Sequence, residues 1–314
     1  MSVSRYQAEL VTRTGAFLGE CPVWDDELDV LAWVDIYPGV LHCTDTSRGT
    51  TTSRALEAVT GCLAPTSLPG WYLCAQVTGL ALISTSGALP VLTLNLADGV
   101  RPNDGRCDPS GNFWFGTMRH AADRPDGTLY KVSERLELVD VLHDLTISNG
   151  IGWDPVRKHM YFIDSALSRV DRMTWNNDTC SPAARASFFQ FPAEHGSPDG
   201  LAIDAYGNLW VALWGGGAVA GIDPDGKLFA KVDVPTPMVT SCCFGGSDFS
   251  TLFITSARGD GGGECANDPL AGAIFAARVA QPGLPTTRWN GREELLGHSP
   301  GQGMQHINSA KNKA

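Results

Sequence analysis

The chain has 314 residues, 43% of them hydrophobic and 18% charged, with 35 glycines and 19 prolines. A formal net charge of −11 argues against nucleic acid and anionic membranes as partners, since both would repel it. No apolar run approaches a membrane span, and residues 1–18 lack the basic start and apolar core of a secretory leader.

In chain order, residues 5–18 alternate loosely and read as an edge strand. The first full unit, about 19–58, opens with Gly19-Glu20-Cys21-Pro22-Val23-Trp24-Asp25-Asp26. It continues through Leu31-Ala32-Trp33-Val34-Asp35 to a third strand at Val40–Asp45. Weaker copies begin near Gly61 and Thr240, in units of about 59–99 and 239–282. Between them, Arg101-Pro102-Asn103-Asp104-Gly105 opens a unit at about 100–146, and Ser148-Asn149-Gly150-Ile151 one at about 147–196. The clearest copy, about 197–238, runs from Ser197-Pro198-Asp199-Gly200 through Asp204-Ala205-Tyr206-Gly207-Asn208 to Leu209–Trp214. Its Asp-x-x-Gly-Asn stretch is a chain reversal, because Asp caps its own backbone and Gly and Asn tolerate positive φ.

The residues opening these units stand near 20, 61, 103, 149, 199 and 240, at intervals of roughly 41, 42, 46, 50 and 41, the range of propeller repeats. The reading is an all-β, six-bladed propeller with four-stranded blades around a central channel, spanning residues 1–290 as a single domain. In such a ring the N-terminal strand completes the last blade, here the sheet built from about 239–280, and removes an exposed edge. The Gly-rich stretch 258–268 reads as a flexible loop and 291–314 as a flexible tail. Nine cysteines lie scattered without metal-finger spacing, as expected of reduced thiols in a cytoplasmic protein.

The opening loops should meet at one end of the channel, bringing together Glu20, Asn103, Asn149 and Asp199. Two carboxylates and two amide carbonyls form an oxygen-rich set suited to a hard cation such as Ca²⁺, Mg²⁺ or Mn²⁺. Each residue taken alone is equally at home as a turn or cap; their shared repeat phase is what points to a site. Arg101, two residues before Asn103, should reach over the same mouth. Trp24, Trp33, Trp114, Trp153 and Trp210 fall inside strands and suit packing between blades. Trp214, running into Gly215-Gly216-Gly217, could wall a pocket. His120 and His143 read as surface residues. No nucleophile elbow, phosphate loop or dinucleotide fingerprint is present.

At these residues the sequence resembles the senescence-marker-protein/gluconolactonase/luciferin-regenerating family, which includes regucalcin and bacterial sugar lactonases. The resemblance covers about 15–280 and rests on Leu18–Trp24, Arg101–Gly105, Gly116-Thr117-Met118, Ser148–Trp153 and Pro198–Asp204. Ala212-Leu213-Trp214-Gly215-Gly216-Gly217 and Thr255-Ser256-Ala257-Arg258 look most like the bacterial branch. It implies one divalent metal, left open among calcium, zinc, manganese, magnesium and iron, with Glu20, Asn149 and Asp199 as direct ligands. Arg101 and Asn103 match positions that contact the sugar lactone. One departure stands out: where some relatives carry an acidic substrate contact after the Gly-Thr-Met motif, Arg119-His120-Ala121-Ala122 follow here.

The function expected is metal-dependent hydrolysis of an aldonolactone (xylono-, arabinono-, galactono- or gluconolactone) with Asp199 as general base, by a monomer or weak homo-oligomer. The alternatives are a calcium-binding regulatory protein, a protein-interaction propeller, and a hydrolase of non-sugar lactones or phosphotriesters.

Overall fold

A computed structural model describes residues 3–259, 265 and 267–291 of the chain. The alternating segments pair into six antiparallel sheets set around a channel, a six-bladed β-propeller. From blade one to blade six the innermost strands are Gly19–Asp25, Thr60–Pro65, Val100–Cys107, Ser148–Asp154, Ser197–Ile203 and Val239–Gly245. Each inner strand packs against the next, and Val239–Gly245 packs against Gly19–Asp25 to close the ring. These strands are buried almost throughout, because both faces and both edges meet protein.

The reversal after the inner strand is built as its residues dictate. Asp204 accepts from the backbone N–H groups of Tyr206 (2.9 Å) and Asn208 (3.0 Å), from Asn208 Nδ2 (2.8 Å) and from Trp210 Nε1 (3.0 Å). Asp108 repeats the pattern with Ser110, Asn112 and Trp114. One carboxylate therefore closes the turn and fixes the indole of the following strand.

The strand tryptophans pack as expected. Trp114, Trp153 and Trp175 meet at 5.6–5.7 Å in the core of blades three and four. Trp24 stacks on Phe253 at 5.2 Å across the first and last blades.

The N-terminal segment closes the ring in two steps rather than one. Glu9–Thr12 pairs antiparallel with Ile274–Arg278, completing blade six. Ser4–Gln7 instead lies parallel to Leu228–Asp233 as a fifth strand on blade five. The chain thus bridges two neighbouring blades, because both outer edges needed a partner. At the far end, residues 282–290 cross beneath the channel. Ala205 donates to Pro282, Trp289 to Pro65 and Asn290 to Gly111. Arg288 bonds Asp25 (2.9 Å) and Asp26 (2.6 Å). Most of the Gly-rich stretch (260–264 and 266) and the tail 292–314 lie outside the described residues.

Candidate active site at the channel mouth

The sequence places the site residues in loops before each inner strand. The structure puts them inside the strands, at bulges. Pairing with the second strand shifts register between Glu20 and Val23, Pro102 and Gly105, Ser148 and Ile151, and Pro198 and Leu201. Blades two and six shift at Thr60/Cys62 and Val239/Ser241. A bulge leaves one or two residues unpaired and re-aims their side chains, here those of Asn103, Asn149 and Asp199, while Glu20 and Arg101 remain paired with Val34 and Met118 just before it. The small residue that follows lets neighbouring strands approach. A Cβ on Gly150 would sit 2.7 Å from the Asp199 carbonyl oxygen, and one on Gly200 2.0 Å from Ser241 Oγ.

Glu20, Arg101, Asn103, Asn149 and Asp199 all line one cavity of about 270 Å³, and each is at least 94% buried. Arg101 Nη1 donates to Asn103 Oδ1 (2.6 Å) and to the Pro102 carbonyl (3.0 Å), and its guanidinium stacks 5.1 Å from the ring centre of Tyr37. Asn103 Nδ2 donates to Asn149 Oδ1 (3.0 Å) and to the Ser148 carbonyl (2.8 Å). Asn149 Nδ2 donates to Ser165 Oγ (2.9 Å), which donates to the Pro198 carbonyl (2.6 Å). Three of the five residues, Arg101, Asn103 and Asn149, are thus tied into one network.

The two carboxylates stand outside it: Glu20 accepts from the adjacent Cys21 N–H (3.0 Å), and Asp199 is less satisfied still. Its Oδ1 is buried and has no hydrogen-bond partner. Burial, Glu20 and Asp104 hold its carboxyl well above the usual carboxylate range. Burial and Asp104 push Glu20 to about 8, against the opposing pull of the Cys21 N–H and Arg101. Asp104, one residue below Asn103, is itself buried and raised by desolvation. Glu20 and Asp199 thus share the cavity as two buried carboxyls, and the charge of Asp104 behind them opposes ionisation of both. Among the described residues no three His, Cys, Asp or Glu gather as a metal cluster. The set reaches three oxygen donors only through the Asn149 amide. An orphaned carboxylate oxygen, a deficit of cation and an all-oxygen donor set fit a hard divalent ion.

A family model described as the SMP-30/gluconolactonase/LRE-like region matches residues 18–258. The chain belongs to this family. The SMP-30/gluconolactonase/LRE-like chain is 35% identical to a 6-deoxy-6-sulfogluconolactonase of Pseudomonas putida, over 87% of this chain and 95% of the relative. It is 33% identical to a pentonolactonase of Haloferax volcanii, over 88% and 96%. The crystal structure of a calcium-binding protein, regucalcin, from Agrobacterium tumefaciens superposes with a TM-score of 0.84 at 31% identity, covering 92% of this chain and 99% of that one.

In this SMP-30/gluconolactonase/LRE-like site, several contributors carry no sequence signal of their own. Ser165 follows the second strand of blade four in a three-residue 3-10 turn capped by Asp164. Asp164 also accepts from Thr146 and Ile147, as Asp35 does from Phe17 and Leu18, fixing the segment that leads into each bulge. Tyr37 and Phe17 wall the mouth from loops of blade one, and their rings meet edge-on at 5.5 Å. Asp104, next to Asn103 at the same bulge, is buried and accepts from the Gly105 N–H (2.7 Å). Trp214 does line the cavity and is 37% exposed. After the Gly-Thr-Met motif, Arg119 is bound to Asp123 and Asp126, and His120 packs at 5.7 Å from Tyr37. Burial and the charge of Arg101 lower the pKa of that histidine. His143 pairs with Asp140 away from the cavity, as an exposed residue.

Proposed function

We propose that this chain hydrolyses a sugar lactone to its aldonic acid, using one divalent metal ion held by Glu20, Asn149 and Asp199. The observation that carries this reading is the buried, unpartnered Asp199 Oδ1 beside Glu20 in a cavity of monosaccharide size. Lactonase relatives covering most of the chain support the reaction class. When bound, the ion polarises the lactone carbonyl and acidifies a neighbouring water. Asp199 takes the proton released as the water oxygen bonds to the carbonyl carbon. The ring C–O bond then breaks, and the departing ring oxygen receives that proton. Arg101 keeps a buried Nε without a partner, free to donate to a ring hydroxyl or to the oxygen that gains charge. Asn103 has spent both amide hydrogens on Ser148 and Asn149, so it meets substrate through Oδ1. The walls formed by Phe17, Tyr37, Met118, Ile147 and Trp214 keep water out once the ring is seated. Eight thiols that form no disulfide, Cys265 aside, support a reducing, cytoplasmic setting. No described helix is long and apolar enough to cross a membrane.

The test is proton release from a panel of pentono-, hexono- and sulfonated hexonolactones. It is run with metal-stripped protein and after return of Ca²⁺, Mg²⁺, Mn²⁺, Fe²⁺ or Zn²⁺. Turnover restored by one metal, and abolished in a folded Asp199→Ala variant, is the expected outcome. Near-normal turnover in that variant would remove Asp199 from the chemistry. No turnover with any ion, alongside tight calcium binding, would favour a calcium-binding regulatory role.

A further inference from the structure

Two cations stack on the aromatic wall of the cavity. Arg101 lies over Tyr37 at the floor, Tyr37 meets Phe17, and Arg258 lies 5.9 Å from the ring centre of Phe17 at the rim. Arg258 is anchored. Its Nε donates to the Gly15 carbonyl (3.2 Å), its backbone N–H to Ala16 (3.0 Å), and the next N–H, of the cavity-lining Gly259, to Phe17 (2.8 Å). The residue is exposed, and among the described residues its two Nη groups have no hydrogen-bond partner. The other charges near the mouth are spoken for. Arg119 is paired with two aspartates, and both oxygens of Asp35 accept backbone N–H groups. Among the described residues Arg258 has no carboxylate within ion-pair distance, and the charge it acts on is Asp35, whose carboxyl it favours in the ionised form. An anchored, stacked arginine without a close ion-pair partner among the described residues is a ready anion contact.

A lactone whose ester sits at the floor, between Asp199 and Arg101, turns its terminal carbon toward this rim. We propose that Arg258 is a specificity-determining residue that selects lactones carrying an anionic group on the terminal carbon: carboxylate, sulfonate or phosphate. The proposal rests on the lactonase reading for its reaction, while the anion contact itself does not need turnover.

The experiment compares kcat/KM for glucono-, glucaro- and 6-phosphogluconolactone in the wild type and in Arg258→Gln, Arg258→Glu and Arg258→Lys. The wild type is expected to favour an anionic lactone over the neutral one by about tenfold or more. That ratio should collapse in the Gln variant, invert in the Glu variant, survive in the Lys variant and shrink with added salt. Which anionic lactone gains most identifies the group preferred. A wild-type ratio near one, or a ratio unchanged within about twofold in the Gln and Glu variants, would overturn the proposal. In parallel, isothermal calorimetry reads the binding of glucitol 6-phosphate against glucitol in the same proteins. If no lactone is turned over, the lactonase reading falls. The assignment of Arg258 then stands on tighter binding of the phosphate that is lost in the Gln variant, and falls if both polyols bind alike.

Discussion

Asn149 can offer its carbonyl oxygen to a cation only while something holds its amide nitrogen away. Ser165 Oγ does this at 2.9 Å, and Asn103 supports the carbonyl side at 3.0 Å. Ser165→Ala removes the first of these restraints. The expected result is a loss of metal affinity of roughly tenfold, typical of removing a partner that orients a ligand, with Ser165→Thr restoring part of it. Isothermal calorimetry on stripped protein checks this, with thermal unfolding of the stripped protein as the control for folding. Unchanged affinity would mean that Asn149 is held by the strand alone.

The innermost strands of blades one, three, four and five do two jobs, packing against their neighbours and bringing a polar side chain to the cavity at or beside a bulge. The turn that follows supplies the rigidity this requires. Asp204 is 1% exposed and accepts four hydrogen bonds, including that of the buried Trp210 indole. Asp204→Ala leaves those donors unpaired inside blade five. The expected cost is about 3 kcal/mol, on the order of 6 °C in melting temperature. Asp108→Ala should cost a similar amount, since it serves Asn112 and Trp114 in the same way. Differential scanning calorimetry decides, and a shift of about a degree or less would show that water replaces the carboxylate at the turn.

The ring holds only if its first and last blades stay joined, and the first dozen residues do that. Ser4–Gln7 adds an outer strand to blade five, with Tyr6 packed 6.3 Å from Trp210, whereas Glu9–Thr12 supplies the missing strand of blade six. Removing residues 1–7 should lower the melting temperature modestly. Removing 1–12 exposes the edge of Ile274–Arg278 and should lower it by on the order of 10 °C or broaden the transition. Equal melting temperatures for the two truncations would show that closure rests on the inner strands and on the Trp24–Phe253 stack alone.

The sixfold repeat, the turns built on Asp108 and Asp204, and the convergence of Glu20, Arg101, Asn103, Asn149 and Asp199 were all legible in the chain. Each is encoded by residue type at a fixed phase, and a closed ring leaves that phase one place to go. The closing of the last blade by the N-terminal strand was legible too, in the pairing of Glu9–Thr12, whereas residues 282–290 and the second pairing of Ser4–Gln7 on blade five had no such phase to announce them. Tertiary structure alone decided that the site residues sit on bulges inside strands, because a bulge depends on the pairing partner and not on its own sequence. It also decided the environment of the site. Ser165, Tyr37 and Phe17 line the mouth beside Asp199, which is buried there with one oxygen unpaired.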